Sequence, residues 1–250
     1  MSDVIVVGGK GGTGKTTISA AITLFLARRK AGVLAVDADP NSNLADALGV
    51  KVRETIADII DEVSKNPDAV PKSMGKDSFV EMKIHQSISE NDGFDLLVMG
   101  RPEGPGCYCY INNVLRNVMA KLSGDYPYVV IDNEAGMEHF SRKTTRACDE
   151  LILVSDETEV GLKSAGRILG LIDELNIPAK RKFLLVNKKT GPKDTKVLKR
   201  QFSVERIFEL PFDDALPRLS AEGASVAALE IKSTFYDAVE QFGELIWPKN

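Results

Sequence analysis

The stretch GGKGGTGKTT, residues 8–17, decides how this chain folds. It follows the apolar run Val4 to Val7 and opens a second apolar stretch, Thr16 to Arg29. Gly9, Gly14, Lys15 and Thr16 match G-x-x-x-x-G-K-[ST], the phosphate-binding loop that joins a strand to a helix. Its glycines let the backbone turn its amides inward, so N–H donors and a helix N-terminus face an anion. The ligand this implies is ATP or ADP, bound by Gly11, Gly12, Thr13, Gly14, Lys15, Thr16 and Thr17. Lys15 is the residue to reach the β- and γ-phosphates, and the Thr16 hydroxyl is a ligand for Mg2+.

Outward from this loop, near-continuous apolar runs recur at Val33 to Val36, Leu96 to Met99, Tyr128 to Ile131, Leu151 to Val154, Phe183 to Val186 and about Ile207 to Leu210. Runs of this kind, rather than alternating ones, mark strands covered by helices on both faces. Interleaved with helical patterns, they predict an α/β fold of the three-layer P-loop NTPase kind, a mostly parallel central sheet between helices. The expectation is a single such domain over residues 1–250, with 51–92 a less regular helical insertion that carries an amphipathic segment at Ile56 to Val63. Val226 to Ile246 reads as one amphipathic helix packed on the sheet.

With a formal net charge of −4, the chain is not a generally basic nucleic-acid binder. Three cysteines make no disulfide framework and suit a reducing compartment. The start MSDVIVVGG lacks a signal peptide's basic region, and no apolar run is long enough to span a bilayer. The expected location is cytoplasmic, without a membrane or nucleic-acid partner.

Acidic residues follow two of the strands. VDADPNSNL, residues 36–44, looks like the switch I segment of one class of P-loop ATPases, a resemblance that makes Asp37 a candidate for the Mg2+ shell through water or Thr16, and Asp39 for orienting an attacking water. Asp-Pro-Asn also makes a turn, which one of these aspartates could serve structurally. In YVVIDNEAG, residues 128–136, Asp132 ends a strand as a Walker B carboxylate, and Gly136 would let the following segment pivot. His139, just beyond, reads as a local hydrogen-bonding residue.

Lys10 has no task in an ordinary phosphate loop. The variant K-G-G-x-G-K-T, residues 10–16, resembles the deviant Walker A of the MinD, ParA and nitrogenase-iron-protein class. That resemblance implies that Lys10 reaches across a dimer to the partner's nucleotide, so ATP binding and homodimerisation form one equilibrium. A cation so placed stabilises charge on the phosphates during transfer, as an arginine finger does. The resemblance also assigns the base site to Asn187 in LLVNKK and to Pro211, Phe212 and Asp213 in ELPFDD.

The stretch GRPEGPGCYCY, residues 100–110, holds two of the three cysteines. Read as an open loop that meets its copy at a dimer axis, it brings Cys107 and Cys109 from each chain together as four thiolates. Four sulfurs suit tetrahedral Zn2+, and thiolates also suit square-planar Ni2+. Cys148, ahead of a strand, is the contrast, a buried and inert thiol. Taken with GKGGTGKTT, VDADPNSNL and IDNEAGMEHFSR, this loop resembles the CooC-type maturation ATPases, AcsF proteins included. That likeness implies an ATPase, with Lys10, Lys15 and Asp39 as its catalytic residues, that supports nickel insertion into a client, carbon monoxide dehydrogenase or acetyl-CoA synthase. The alternatives are a MinD- or ParA-like positioning ATPase, which has no use for C-x-C, and an iron–sulfur cluster carrier. The C-terminal EQFGELIWPKN is short of the basic residues a membrane-targeting helix needs.

Overall fold

The structure, a computed structural model of the chain, describes residues 2–101, 108–134, 148–191, 202–229 and 233–248, with the backbone alone at Tyr108 and Cys109. Eight strands form one sheet: β1 (Asp3–Gly9), β2 (Val33–Ala38), β3 (Ser89–Glu90), β4 (Phe94–Val98), β5 (Tyr128–Asn133), β6 (Cys148–Asp156), β7 (Ala179–Lys189) and β8 (Arg206–Pro211). Their spatial order is β3-β4-β2-β5-β1-β6-β7-β8. Every pairing is parallel except the two-residue edge strand β3 against β4. The expected α/β architecture is therefore the observed one.

The described helices are α1 (Lys15–Arg28), α2 (Asn43–Leu48), α3 (Ile56–Lys65), α4 (Lys76–Ser87), α5 (Tyr108–Leu122), α6 (Glu159–Glu174), α7 (Ala215–Ala221) and α8 (Thr234–Ile246). They cover both faces of the sheet, which is why the central strands are apolar without alternation. One face packs Ile18, Ile22 and Leu26 of α1, Leu44 of α2, and Phe235, Val239 and Phe242 of α8 against Ile5, Val7, Ala35 and Val130. The opposite face packs α3, α4, α5 and α6 against Val6, Leu34, Val36, Val129 and Ile131. Residues 51–92 contribute α3 and α4 to this second layer, with α3 started by a reciprocal capping box between Thr55 and Asp58. Among the described residues, no helix is long and apolar enough to cross a membrane.

Two expectations about helices need correction. Val226–Ala228 is a single 3-10 turn, and α8 starts afresh where the Ser233 hydroxyl accepts the Tyr236 amide at 3.0 Å. Hydrophobic periodicity runs across that break because both pieces bury their apolar side against α1. The C-x-C stretch is not an open loop throughout either, since α5 begins at Tyr108 and places Cys109 in its first turn. Glycine and proline in the sequence ahead of Tyr108 favour a loop reading, but such residues also precede helix starts.

Candidate functional site

Strand alternation delivers the acidic residues to the α1 face. On β2, Val33 and Ala35 face α1 while Leu34 and Val36 face the other layer, so Asp37 returns to the α1 side. On β5, Val130 faces α1 between Val129 and Ile131, so Asp132 does the same. Asp37 and Asp132 are register partners at the C-terminal edge of the sheet, where parallel α/β folds bind ligands.

The phosphate loop leaves that edge from β1. Gly9 has φ 149°, and a Cβ there would come within 2.2 Å of the Val154 carbonyl oxygen, so glycine alone lets β1 turn this close to β6. Gly14, at φ 94°, starts α1, and a Cβ there would lie 2.5 Å from the Asn187 amide nitrogen. The Thr13 hydroxyl closes the loop by donating to the Lys10 carbonyl at 2.9 Å. Lys10 itself is exposed, as are Gly11 and Gly12.

Lys15 is 7% exposed. Burial pulls its ammonium below the usual lysine range, and Asp132, Asp39 and Glu134 oppose that pull. The Thr16 hydroxyl donates to Asp132 Oδ2 at 2.7 Å and the Ser19 hydroxyl to Asp132 Oδ1 at 2.9 Å. Burial pushes the Asp132 carboxyl up to about 6, against those two hydrogen bonds and the charge of Lys15. Asp37 is fully buried and pushed up to about 7 by the same cause. Its oxygens accept the amides of Asp39 at 3.1 Å and Leu44 at 2.8 Å, so it fastens the turn between β2 and α2. Thr16 thus pairs with Asp132. The reason is topological, since β5 lies between β1 and β2 and its Asp132 is nearer to the start of α1. Asp39 Oδ1 accepts the backbone and side-chain N–H groups of Asn41, each at 2.9 Å.

These residues border a cleft of about 850 Å³, with Gly11, Gly12, Gly14, Lys15, Thr16 and Thr17 on one side and Asp39, Asn41, Asn43 and Asp46 on the other. It adjoins a pocket of about 270 Å³ lined by Asn187, Lys188, Pro211, Phe212 and Asp213, and both are bordered by Gly14, Thr17, Leu216 and Ser220. Asn187 is buried, and its amide donates to the Thr13 carbonyl at 2.9 Å. Asp213 accepts the Ala215 amide at 3.0 Å in a tight turn just ahead of α7, while Phe212 stays 42% exposed at the rim. A loop rich in amide donors with a buried lysine, a hydroxyl on a carboxylate and an adjoining aromatic-rimmed pocket fit a magnesium-bound nucleotide.

Sequence reading missed Ser19, Lys188, Leu216 and Ser220. Ser19 was within reach of helical periodicity, lying three residues after Thr16 on the same face. The others depend on how β7 and α7 pack around the loop. Cys107, Gly136 and His139 lie outside the described residues, as does the side chain of Cys109. Among the described residues, no group of three or more His, Cys, Asp or Glu could hold a metal ion. Cys148 is buried, and its burial pushes the thiol up to about 12. The strand that leads toward the C-x-C stretch is tied to the nucleotide side. The Met99 amide donates to the Asp37 carbonyl at 2.8 Å, and its carbonyl accepts the Ala57 amide at 2.9 Å.

Residues 4–226 match the family model "CobQ/CobB/MinD/ParA nucleotide binding domain". The chain is 38% identical over 248 residues to "Uncharacterized ATP-binding protein MJ0685" of Methanocaldococcus jannaschii, covering 97% of this chain and 98% of that protein. It is 31% identical over 236 residues to "Carbon monoxide dehydrogenase accessory protein CooC" of Rhodospirillum rubrum, covering 88% of each. Among solved structures, the septum site-determining protein MinD of Pyrococcus horikoshii, complexed with Mg-ADP, superposes with a TM-score of 0.75 over 99% of this chain and 97% of that one. At 21% identity that superposition speaks for the fold alone. The chain belongs to the CobQ/CobB/MinD/ParA family of ATP-binding P-loop ATPases.

Proposed function

We propose that this ATPase is a nucleotide-gated homodimeric maturation factor. It binds Ni2+ or Zn2+ through Cys107 and Cys109 of both chains and supports nickel insertion into carbon monoxide dehydrogenase or acetyl-CoA synthase. The observation that carries this reading is the 31% identity to the CooC protein of Rhodospirillum rubrum across 88% of both chains, in a sequence that also places a C-x-C pair after a strand end.

ATP with Mg2+ supplies the transferable phosphoryl group and the charge that the site is built to neutralise. Gly11 to Thr17 hold the phosphates through backbone amides, and Lys15 balances their charge from a buried position. Thr16 and Asp132, 2.7 Å apart, would hold Mg2+ directly or through water, with Asp37 supporting that shell from the adjacent strand. Asp39, fixed by Asn41, orients water toward the γ-phosphorus. The bond from that phosphorus to the bridging oxygen breaks, giving ADP and phosphate. Lys10, exposed at the loop, reaches the partner's nucleotide, which links hydrolysis to the dimer. Asn187 and the Pro211–Asp213 turn receive the adenine.

The tie from Met99 to Asp37 supports a coupling between nucleotide state and the C-x-C stretch. Any shift of the turn held by Asp37 acts on the end of β4, from which the chain enters that stretch. The cargo ion is then bound in the closed dimer and released after hydrolysis.

The test is a Cys107→Ala, Cys109→Ala double variant. It should hydrolyse ATP at the wild-type rate and lose metal binding. Retained metal at wild-type stoichiometry would sink the proposed metal site.

A further inference from the structure

The end of β7 carries an irregularity that nucleotide binding by the loop alone does not require. Its pairing with β8 slips between Val186 and Lys189. Inside that slip, Lys188 sits in the left-handed backbone region at φ 57°, which residues with a side chain adopt seldom and at a cost. The result is that Lys188 turns toward the phosphate loop, and its Nζ donates to the Gly12 carbonyl at 2.9 Å. Asn187 beside it donates to the Thr13 carbonyl at the same distance. Two consecutive residues of β7 hold two consecutive carbonyls of the loop.

A trans peptide points its C=O and its N–H in opposite directions. Holding the carbonyls of Gly12 and Thr13 therefore fixes the directions of the Thr13 and Gly14 amides. Lys188 also lines the base pocket together with Pro211 and Phe212. The neighbouring Lys189 has a different task, pairing with Glu209 across the strands at 2.6 Å.

We propose that Lys188 is a nucleotide-positioning residue with two parts. Its ammonium clamps the Gly12 carbonyl and presets the loop, and its aliphatic stem forms one wall of the purine slot. This rests on the nucleotide reading of the cleft and adds to it a residue that touches both the loop and the base pocket.

The test uses the full chain and two variants, Lys188→Gly and Lys188→Met, with Mg2+ present. Dissociation constants are measured calorimetrically for ADP and for pyrophosphate, which has no base. Glycine removes clamp and stem but accepts the left-handed backbone, so the melting temperature without ligand should equal or exceed that of the wild type. Its ADP affinity should fall at least about tenfold, as expected for a lost charged hydrogen bond plus a lost contact, and its pyrophosphate affinity should fall less. Lys188→Met keeps the stem, so it should lose pyrophosphate affinity like the glycine variant and retain more of its ADP affinity. ADP binding within about twofold of wild type in Lys188→Gly, a shift well below the tenfold loss expected for the hydrogen bond, overturns the assignment. Unchanged pyrophosphate affinity in both variants overturns the clamp. Failure of the wild-type protein to bind ADP would instead refute the nucleotide site itself.

Discussion

The Thr16 hydroxyl and the Asp132 carboxylate, 116 residues apart in sequence, meet at 2.7 Å beneath the phosphate loop. Ser19 takes the second carboxylate oxygen, so the buried charge of Asp132 is held by two hydroxyls and approached by Lys15. Under the proposed function, this carboxylate and the Thr16 hydroxyl would hold magnesium directly or through water.

That burial predicts a pH signature. Asp132 titrates near 6 in the folded protein against an ordinary 3.8, so the folded state binds its proton more tightly than the unfolded chain. The associated stability is complete below the unfolded value and is lost as pH rises through about 6. In EDTA at pH 8, Asp132→Asn should therefore melt above the wild type, by on the order of 1–3 kcal/mol in stability. The gap should close as pH falls below 6, and Mg-ADP should reverse the order. Thermal melts of both proteins across that range, with and without Mg-ADP, check the sign.

Gly14 is held at φ 94°, which a side chain adopts at a cost, and a Cβ there would lie 2.5 Å from the Asn187 amide nitrogen and push it from the Thr13 carbonyl. Gly14→Ala should cost about 2 kcal/mol or more of stability and abolish nucleotide binding. Asn187→Ala should leave the Thr13 carbonyl without its partner, costing about 1–2 kcal/mol, and weaken ADP binding roughly tenfold. Denaturant melts combined with ADP titration separate the two effects.

Lys10 is exposed and contributes only its backbone carbonyl to the loop. Lys10→Ala should bind ADP like the wild type and remain monomeric with ATP. Its hydrolysis rate should drop at least about a hundredfold, the scale expected when a cation supplied in trans is removed. Light scattering coupled to sizing chromatography, with a phosphate-release assay, reads both.

Cys148 should be chemically silent while the protein is folded. With its thiol pushed up to about 12 by burial, the Cys107→Ser, Cys109→Ser variant should show no reaction with a disulfide reagent at pH 8. Its single remaining thiol should react fully in denaturant.

Much of this architecture is legible in the sequence for one physical reason. Helices on both faces make the central strands continuously apolar, so Val4–Val7, Tyr128–Ile131 and Phe183–Val186 stand out, and the phosphate loop fixes which strand comes first. The start of α8 was not legible, because apolar periodicity continues through Val226 and Leu229 and no proline or glycine marks the break. The pairing of Thr16 with Asp132 depends on strand order, which a linear pattern does not encode. Nor does the sequence LLVNKK reveal that Lys188 sits in a strand irregularity aimed at the loop, since alternation alone would send it away from Asn187. The roles proposed for Lys10 and for the C-x-C pair call for a second copy of the chain, which the pattern of one chain does not encode.

The most direct measurement is an anaerobic nickel titration followed by absorbance, run with and without Mg-ATP alongside sizing chromatography. The proposed metal site predicts a nickel–thiolate band that grows with ATP-dependent dimerisation, saturates at about one metal per dimer, as four thiolates allow, and vanishes when Cys107 and Cys109 are replaced by alanine. A protein that dimerises with ATP yet takes up no metal in any nucleotide state would contradict it, and would favour a positioning ATPase.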